Sequence, residues 1–167
     1  SYPSNGVPGL ESTNYYIDYQ GARIVSLNSN EKISEQAKWL DETLSKNRQK
    51  WTFVTFHHPV YSTAMGRDNK AIRDTWQPIL QKHNVAIVLQ GHDHTYGRKN
   101  VPTGLSGTDP KSGTAYVVSV SGPKIYRIGP ETEKDMPRVA EYTQLYQIVR
   151  VSDSKVKFEA YTVTGEL

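Results

Sequence analysis

The chain of 167 residues is long enough for one domain with a sizeable hydrophobic core. Its formal net charge of +3 comes from 20 basic and 17 acidic side chains scattered along the sequence, so we expect no nucleic-acid partner. The chain has no cysteine, which excludes disulfides and thiolate metal sites, and it has no apolar stretch long enough for a membrane span.

The first half of the sequence alternates between strand and helix patterns. Residues 1–14 are rich in Gly, Pro, Ser and Asn and are expected to form a loop or linker, and two strands at 15–19 and 23–28 follow, joined by a tight turn. Ser34 is predicted to cap a helix that runs to about Asn47 and carries an apolar stripe. The stripe consists of Ile33, Ala37, Leu40 and Leu44.

The same alternation continues to residue 90. A strand is predicted at Trp51–Phe56, a helix from about Asn69, and a strand at 85–90. Pro78 falls inside this second helix and is expected to kink or restart it, because an interior proline removes a backbone hydrogen bond. The resulting β-α-β-α-β order favours parallel strands with right-handed crossovers.

The second half of the sequence does not continue the alternation of strands and helices. Residues 97–114 are predicted to form one long loop rich in Gly, Pro, Ser and Thr. Three strands are predicted after it, at 115–121, 141–151 and 155–164, and the last two are expected to form a hairpin. The sequence therefore predicts a mixed α/β fold over residues 15–167.

Histidines follow two of the predicted strands directly. His57 and His58 come after Trp51–Phe56, and the motif Gly91-His92-Asp93-His94 comes after the strand that ends at residue 90. In open α/β sheets, ligands bind at the carboxyl ends of the strands, and imidazole is a common ligand of zinc, iron and manganese. We therefore predict a metal centre with His57, His92 and His94 as ligands.

Three imidazoles do not complete a two-metal centre. Such a centre needs about seven or eight protein ligands, among them a bridging carboxylate. The aspartates considered for this role have no obvious ligand context, and the one between the two histidines of the motif is expected to point away from them. They are Asp18, Asp68, Asp93 and Asp109. A mononuclear zinc site made of the three histidines with one open position is the alternative.

Two motifs of the chain resemble a known family. Val54-x-x-His57 followed by Gly91-His92-x-His94 resembles the last two motifs of the calcineurin-like metallophosphoesterases. The longer segments 57–61 and 91–96 are similar to the purple-acid-phosphatase-like branch of that family, as is Gln36-x-x-Trp39-Leu40. The resemblance covers residues 15–165 and the C-terminal half of the family's catalytic domain. It implies a four-layer α/β/β/α sandwich, of which this chain supplies one mixed sheet with two flanking helices.

The resemblance also implies an activity. The family hydrolyses phosphoric esters, as phosphomonoesterases or phosphodiesterases, with a binuclear centre of iron, zinc or manganese and a metal-bound hydroxide. By resemblance, His57 and His92 bind one ion and His94 binds the other. The bridging aspartate, an asparagine ligand and the catalytic histidine belong to family motifs that these 167 residues lack. The implied partners are a phosphate ester and the N-terminal half of the same domain, and the resemblance favours an exported or periplasmic protein.

The candidate substrate-binding residues are His58, Arg67 and Tyr96. The family's phosphate-contacting histidines are absent from the stretch 62–68, which leaves Arg67 as the candidate contact there. His83 is expected at the surface or at a helix C-terminus. The alternative function is a truncated, non-catalytic binding module that self-associates through an uncovered sheet face.

Overall fold

The computed structural model describes residues 1–104 and 112–165, apart from the side chain of Glu133. Within these residues the fold combines strands and helices, which confirms the predicted mixed α/β class. The elements in chain order are β1 (Tyr15–Tyr19), β2 (Ala22–Ser26), α1 (Ile33–Ser45), β3 (Trp51–Thr55), α2 (Lys70–Lys82), β4 (Ile87–Gln90), β5 (Tyr96–Val101), β6 (Thr114–Val118), α3 (Pro130–Asp135), β7 (Arg138–Ala140), β8 (Leu145–Val151) and β9 (Val156–Thr162).

A mixed seven-stranded sheet, in the order β1-β2-β3-β4-β6-β5-β7, forms the centre of the fold. Strands β2, β3 and β4 run parallel, as the strand-helix alternation predicts. Strand β6 is also parallel to β4, while β1, β5 and β7 are antiparallel to their neighbours. Strands β8 and β9 form a separate antiparallel hairpin. Because the parallel strands end at one edge of the sheet, the segments that follow β3 and β4 leave it side by side.

The two faces of the sheet bury two different clusters. The row Val25, Val54, Val88 and Tyr116 lies in register across four strands and packs with Leu40 of α1 and Trp76 of α2. On the opposite face, Ile87 and Ala115 pack with residues of the β8–β9 hairpin. Adjacent residues of a strand point to opposite faces, so nearly continuous apolar strands such as β4 and β6 are buried on both sides.

Both predicted helices are present, but their first or last residues differ from the predicted ones. Ser34 lies inside α1 rather than at its cap; the cap position belongs to Lys32, which has a left-handed φ of 50° and no side-chain capping bond, so that prediction is wrong. The buried Gln36 holds this end instead, because its side-chain amide donates to the Glu31 and Asn28 carbonyls. Helix α2 begins after Asn69 as predicted and continues through Pro78 without a restart.

The predicted loop at 97–114 is also wrong over its first part. Residues 97–101 belong to β5, which pairs with β6 and β7, and residues 105–111 lie outside the described part of the chain. Backbone pairing to partners distant in sequence stabilises this polar strand, and composition alone does not reveal such pairing. The short elements α3 and β7 were not predicted. No helix among the described residues is long and apolar enough to cross a bilayer.

Candidate active site

His57 and His92 meet beyond the ends of two adjacent parallel strands. Each follows its strand by two residues, and the His57 Nε2 atom lies 3.0 Å from the His92 Nδ1 atom. The backbone N–H of Gly91 donates to the His57 carbonyl at 3.1 Å, which extends the pairing of β3 and β4 up to the motif. The structure thus brings together the two histidines that the sequence places after separate strands.

His58 is the third member of this cluster. His57, His58 and His92 each offer one nitrogen atom, and these atoms lie within 4.8 Å of one another. Burial lowers the pKa of His58 and of His92, and the neighbouring imidazoles and the Arg67 guanidinium lower them further. Both shifts favour the neutral imidazole, which is the form that binds metal. The donor set therefore fits a transition-metal ion such as zinc, iron or manganese.

His94 lies apart from the three clustered histidines. Its Nδ1 atom lies 3.0 Å from the Lys124 carbonyl, and its ring packs against Tyr126 with centroids 4.9 Å apart. A carbonyl can only accept, so Nδ1 carries the proton and Nε2 keeps its lone pair. The structure does not assemble the mononuclear site of His57, His92 and His94, because the histidine that joins the pair is His58.

Ser29 fixes the orientation of His58. Its hydroxyl oxygen accepts the His58 backbone N–H at 3.0 Å and lies 2.9 Å from the His58 Nδ1 atom. The backbone of Ser29 also hydrogen-bonds to the His58 ring, so Ser29 holds this imidazole through both its side chain and its main chain. These contacts fix which edge of the His58 ring faces Ser29. Nothing in the local sequence indicated this role for Ser29, which lies 29 residues before His58.

Arg67 lies next to the cluster, and hydrogen bonds to residues 92 and 93 hold its side chain. Its Nη1 atom donates to the His92 carbonyl at 3.0 Å and to the Asp93 carboxylate at 3.3 Å. Its guanidinium carbon is 4.7 Å from the centre of the Tyr126 ring. The side chain is 32% exposed, and the guanidinium also hydrogen-bonds to the Tyr126 side chain.

The other predicted residues lie elsewhere. Tyr96 is only 6% exposed and packs in the core cluster with Ile87 and Val117, so its predicted place at the mouth of the site is corrected to a core position. His83 is the residue that follows α2, where its ring contacts Asp41. Asp18 and Asp68 pair with arginines, Asp93 points away from the cluster, and Asp109 lies outside the described residues.

A cleft of about 520 Å³ opens beside His57 at the carboxyl ends of β2, β3 and β4. Its wall includes Ser29, Gly91 and Gln90, and the rest is mostly polar. The side-chain oxygen of Gln90 is buried without a hydrogen-bond partner among the described residues. Because this oxygen is buried, it does not face the open space of the cleft.

The sequence profile of the calcineurin-like phosphoesterases matches residues 2–96, more than half of the chain. The chain belongs to this family. Purple acid phosphatase 7 of Arabidopsis thaliana is 27% identical over 140 residues, which cover 83% of this chain and 40% of that protein. An acid phosphatase of Aspergillus ficuum is 35% identical over 80 residues, which cover 46% of this chain and 13% of that protein. The chain thus spans well under half the length of these relatives.

Solved structures support the fold. The purple acid phosphatase PPD1 from yellow lupin seeds superposes with a TM-score of 0.74 at 19% identity, covering 95% of this chain and 32% of that one. GAP50, the anchor in the inner membrane complex of Plasmodium, superposes with a TM-score of 0.70 at 14% identity, covering 91% of this chain and 50% of that one. At these identities the likeness shows a shared fold.

Proposed function

We propose that this chain is part of a metal-dependent phosphoric ester hydrolase and contributes the histidine-bearing side of its metal centre. The observation that carries the proposal is the 3.0 Å approach of His57 Nε2 to His92 Nδ1 at the ends of adjacent parallel strands. Membership of the calcineurin-like phosphoesterase family also supports the proposed function. The substrate is a phosphomonoester or a phosphodiester.

The arrangement of donors supports two metal positions. His57 and His92 hold one ion, and His94 holds the other through Nε2, since its Nδ1 is committed to the Lys124 carbonyl. Iron, zinc and manganese all suit such nitrogen donors. A metal pair of this kind supplies Lewis-acid polarisation of the phosphoryl group.

His58 and Arg67 are proposed to bind the phosphoryl oxygens. Ser29 engages His58 through Nδ1, which leaves the Nε2 atom of His58 for a contact with the ester. Arg67 is anchored through Nη1, and its other N–H groups suit a phosphoryl oxygen, because guanidinium–phosphate hydrogen bonds are charge-assisted. The two side chains hold the ester beside the metal positions.

The remaining ligands are proposed to come from the N-terminal half of the same catalytic domain. The described residues place no carboxylate in the histidine cluster, and a two-metal site requires a bridging one. The catalytic acid or base is proposed to lie in that half as well. The family likeness also leads us to propose an exported or periplasmic protein, which cell fractionation tests.

Metal analysis and phosphatase assays test this function. The full-length protein is expected to bind about two ions per chain and to hydrolyse p-nitrophenyl phosphate, while the 167 residues alone bind metal weakly and turn over little. His92→Ala is expected to abolish turnover in the full-length protein, and the matched His83→Ala is expected to preserve it. Full activity of His92→Ala would contradict the proposal.

A non-catalytic, self-associating module is the second candidate. Ile17 and Leu89 lie on the sheet face opposite α1 and α2 and are 40% and 37% exposed. An uncovered apolar sheet face favours association with another chain. If the full-length protein forms dimers and lacks both metal and turnover, this second function replaces the first.

A further inference from the structure

Asp93 is the most deeply buried charged group near the histidine cluster. Its side chain is 0% exposed, and it lies between His92 and His94 in the chain. One carboxylate oxygen accepts the backbone N–H groups of Thr63 at 2.6 Å and Ala64 at 3.2 Å, together with the Thr63 hydroxyl at 3.3 Å. The carboxylate thus fastens the histidine motif to the loop that follows His57 and His58.

The two histidines on either side of Asp93 have unusual backbone conformations. His92 has a φ of 71° and His94 has a φ of 51°, both in the left-handed region. Residues other than glycine remain in this region only where the surrounding structure holds them there. Asp93 lies between them, and its carboxylate is the anchored group of the motif.

Arg67 and Tyr126 connect the same anchor to both histidine backbones. Arg67 Nη1 donates to the Asp93 carboxylate and to the His92 carbonyl. The Tyr126 ring lies under the Arg67 guanidinium, and the Tyr126 backbone N–H donates to the His94 carbonyl at 3.4 Å. The carbonyls of His92 and His94 are therefore tied to one network that is centred on Asp93.

We propose that Asp93 is a positioning residue that sets the separation of the two metal positions. It holds His92 turned toward His57 and His94 turned toward Lys124, so that the two imidazoles serve different ions. This inference rests on the proposed two-metal function. Groups that orient metal ligands without touching the ion typically contribute about 10- to 100-fold to metal affinity.

The Asp93→Asn substitution tests the proposal in the full-length protein. Asn keeps one oxygen for the loop amides but loses the charge that binds Arg67. The matched control is Asp18→Asn, because Asp18 also forms an ion pair with an arginine, Arg23, and does not touch the cluster. Both variants lose one aspartate–arginine pair, so a general loss of stability affects both.

Two readouts separate positioning from stability. In the metal-free protein, hydrogen exchange of the amides of residues 91–95 is expected to accelerate in Asp93→Asn and to stay unchanged in Asp18→Asn. In a Co²⁺ titration followed by absorption, Asp93→Asn is expected to bind at least about tenfold more weakly and to show an altered ligand-field spectrum. Asp18→Asn is expected to keep the wild-type affinity and spectrum.

The possible results distinguish the positioning role of Asp93 from the proposed two-metal function. Wild-type Co²⁺ affinity, spectrum and exchange in folded Asp93→Asn would overturn the positioning role and leave the proposed function standing. A wild-type protein that binds no Co²⁺ overturns both. If Asp93→Asn does not fold, Thr63→Val replaces it, since this variant removes the hydroxyl contact to the carboxylate together with the contact to the Thr95 hydroxyl. It is expected to change the same readouts to a smaller extent, and unchanged readouts overturn the proposal.

Discussion

The Ser29→Ala substitution removes the hydroxyl that orients His58. Two contacts disappear: the 3.0 Å bond that the hydroxyl accepts from the His58 backbone N–H, and the 2.9 Å contact with the His58 Nδ1 atom. The backbone of both residues stays free to keep its conformation, because alanine differs from serine only by the hydroxyl. The substitution therefore tests how the hydroxyl contacts affect the orientation of the His58 ring.

The size of the effect follows from these two contacts. Each ordinary hydrogen bond contributes about 1 kcal/mol, so the free energy of unfolding is expected to fall by about 1–2 kcal/mol. A His58 ring that is no longer held loses about 1 kcal/mol of its interaction with a phosphoryl oxygen, which corresponds to a roughly fivefold rise in KM. We expect kcat to change by less than about twofold, since this contact is made in the ground state and the transition state alike.

The assay is steady-state hydrolysis of p-nitrophenyl phosphate by the full-length protein, with metal content measured on the same samples. Ser26→Ala is the matched control, because the Ser26 hydroxyl donates to the Thr13 carbonyl and does not contact a histidine. An unchanged KM in Ser29→Ala would refute the donor role of His58. A loss of bound metal in proportion to the loss of activity would refute it as well, because it would make His58 a ligand.

Three further predictions concern stability and metal dependence. Trp76→Phe is expected to lower the free energy of unfolding by about 2–3 kcal/mol, because it shrinks a fully buried side chain and leaves the Ile33 carbonyl without its 3.0 Å indole donor; urea unfolding measures this. The Arg23 guanidinium lowers the pKa of Asp18, so this pair stabilises the fold above the ordinary pKa of aspartate, and the effect is lost as the pH falls through the lowered value. The difference in unfolding free energy between wild type and Asp18→Asn, at most about 1 kcal/mol at this partly exposed site, is therefore expected to be full at neutral pH and to shrink as the pH falls below the ordinary pKa of aspartate. A difference that stays constant as the pH is lowered would contradict this prediction. His94→Ala is expected to remove about one of two bound ions and most of the turnover, and elemental analysis that finds both ions retained would show that His94 is not a ligand.

Regular periodicity made the first half of the fold predictable. The strand-helix alternation from Arg23 to Gln90 fixes parallel strands, and parallel strands bring the segments after β3 and β4 to one edge. The sequence therefore predicts that His57 and His92 lie close together, and the structure shows them 3.0 Å apart. Strand β5 was missed because Arg98, Lys99 and Asn100 have no apolar period; their strand forms through pairing with β6.

The finer features of the site were not predictable from nearby residues. Ser29 and His58 are 29 positions apart, and Asp93 reaches Thr63 across 30 positions. His94 is one residue beyond Asp93, yet its ring turns to Lys124 because the backbone on both sides of Asp93 is left-handed. Tyr96 was assigned to the site from its nearness in sequence, and the packing of the β8–β9 hairpin buries it in the core instead.

By itself, the sequence determined the family and the parallel direction of β2, β3 and β4, and it singled out the histidines as candidate metal ligands, because these follow from periodic patterns and short motifs. The tertiary structure alone decided which imidazoles share a cluster, which carbonyl the His94 ring contacts, and which groups Asp93 binds. Those properties depend on hydrogen bonds between loops that are distant in the chain, and such bonds leave no periodic pattern in the sequence. The motif Gly91-His92-Asp93-His94 shows the division: its histidines are visible in the sequence, and the role of its aspartate appears only in the fold.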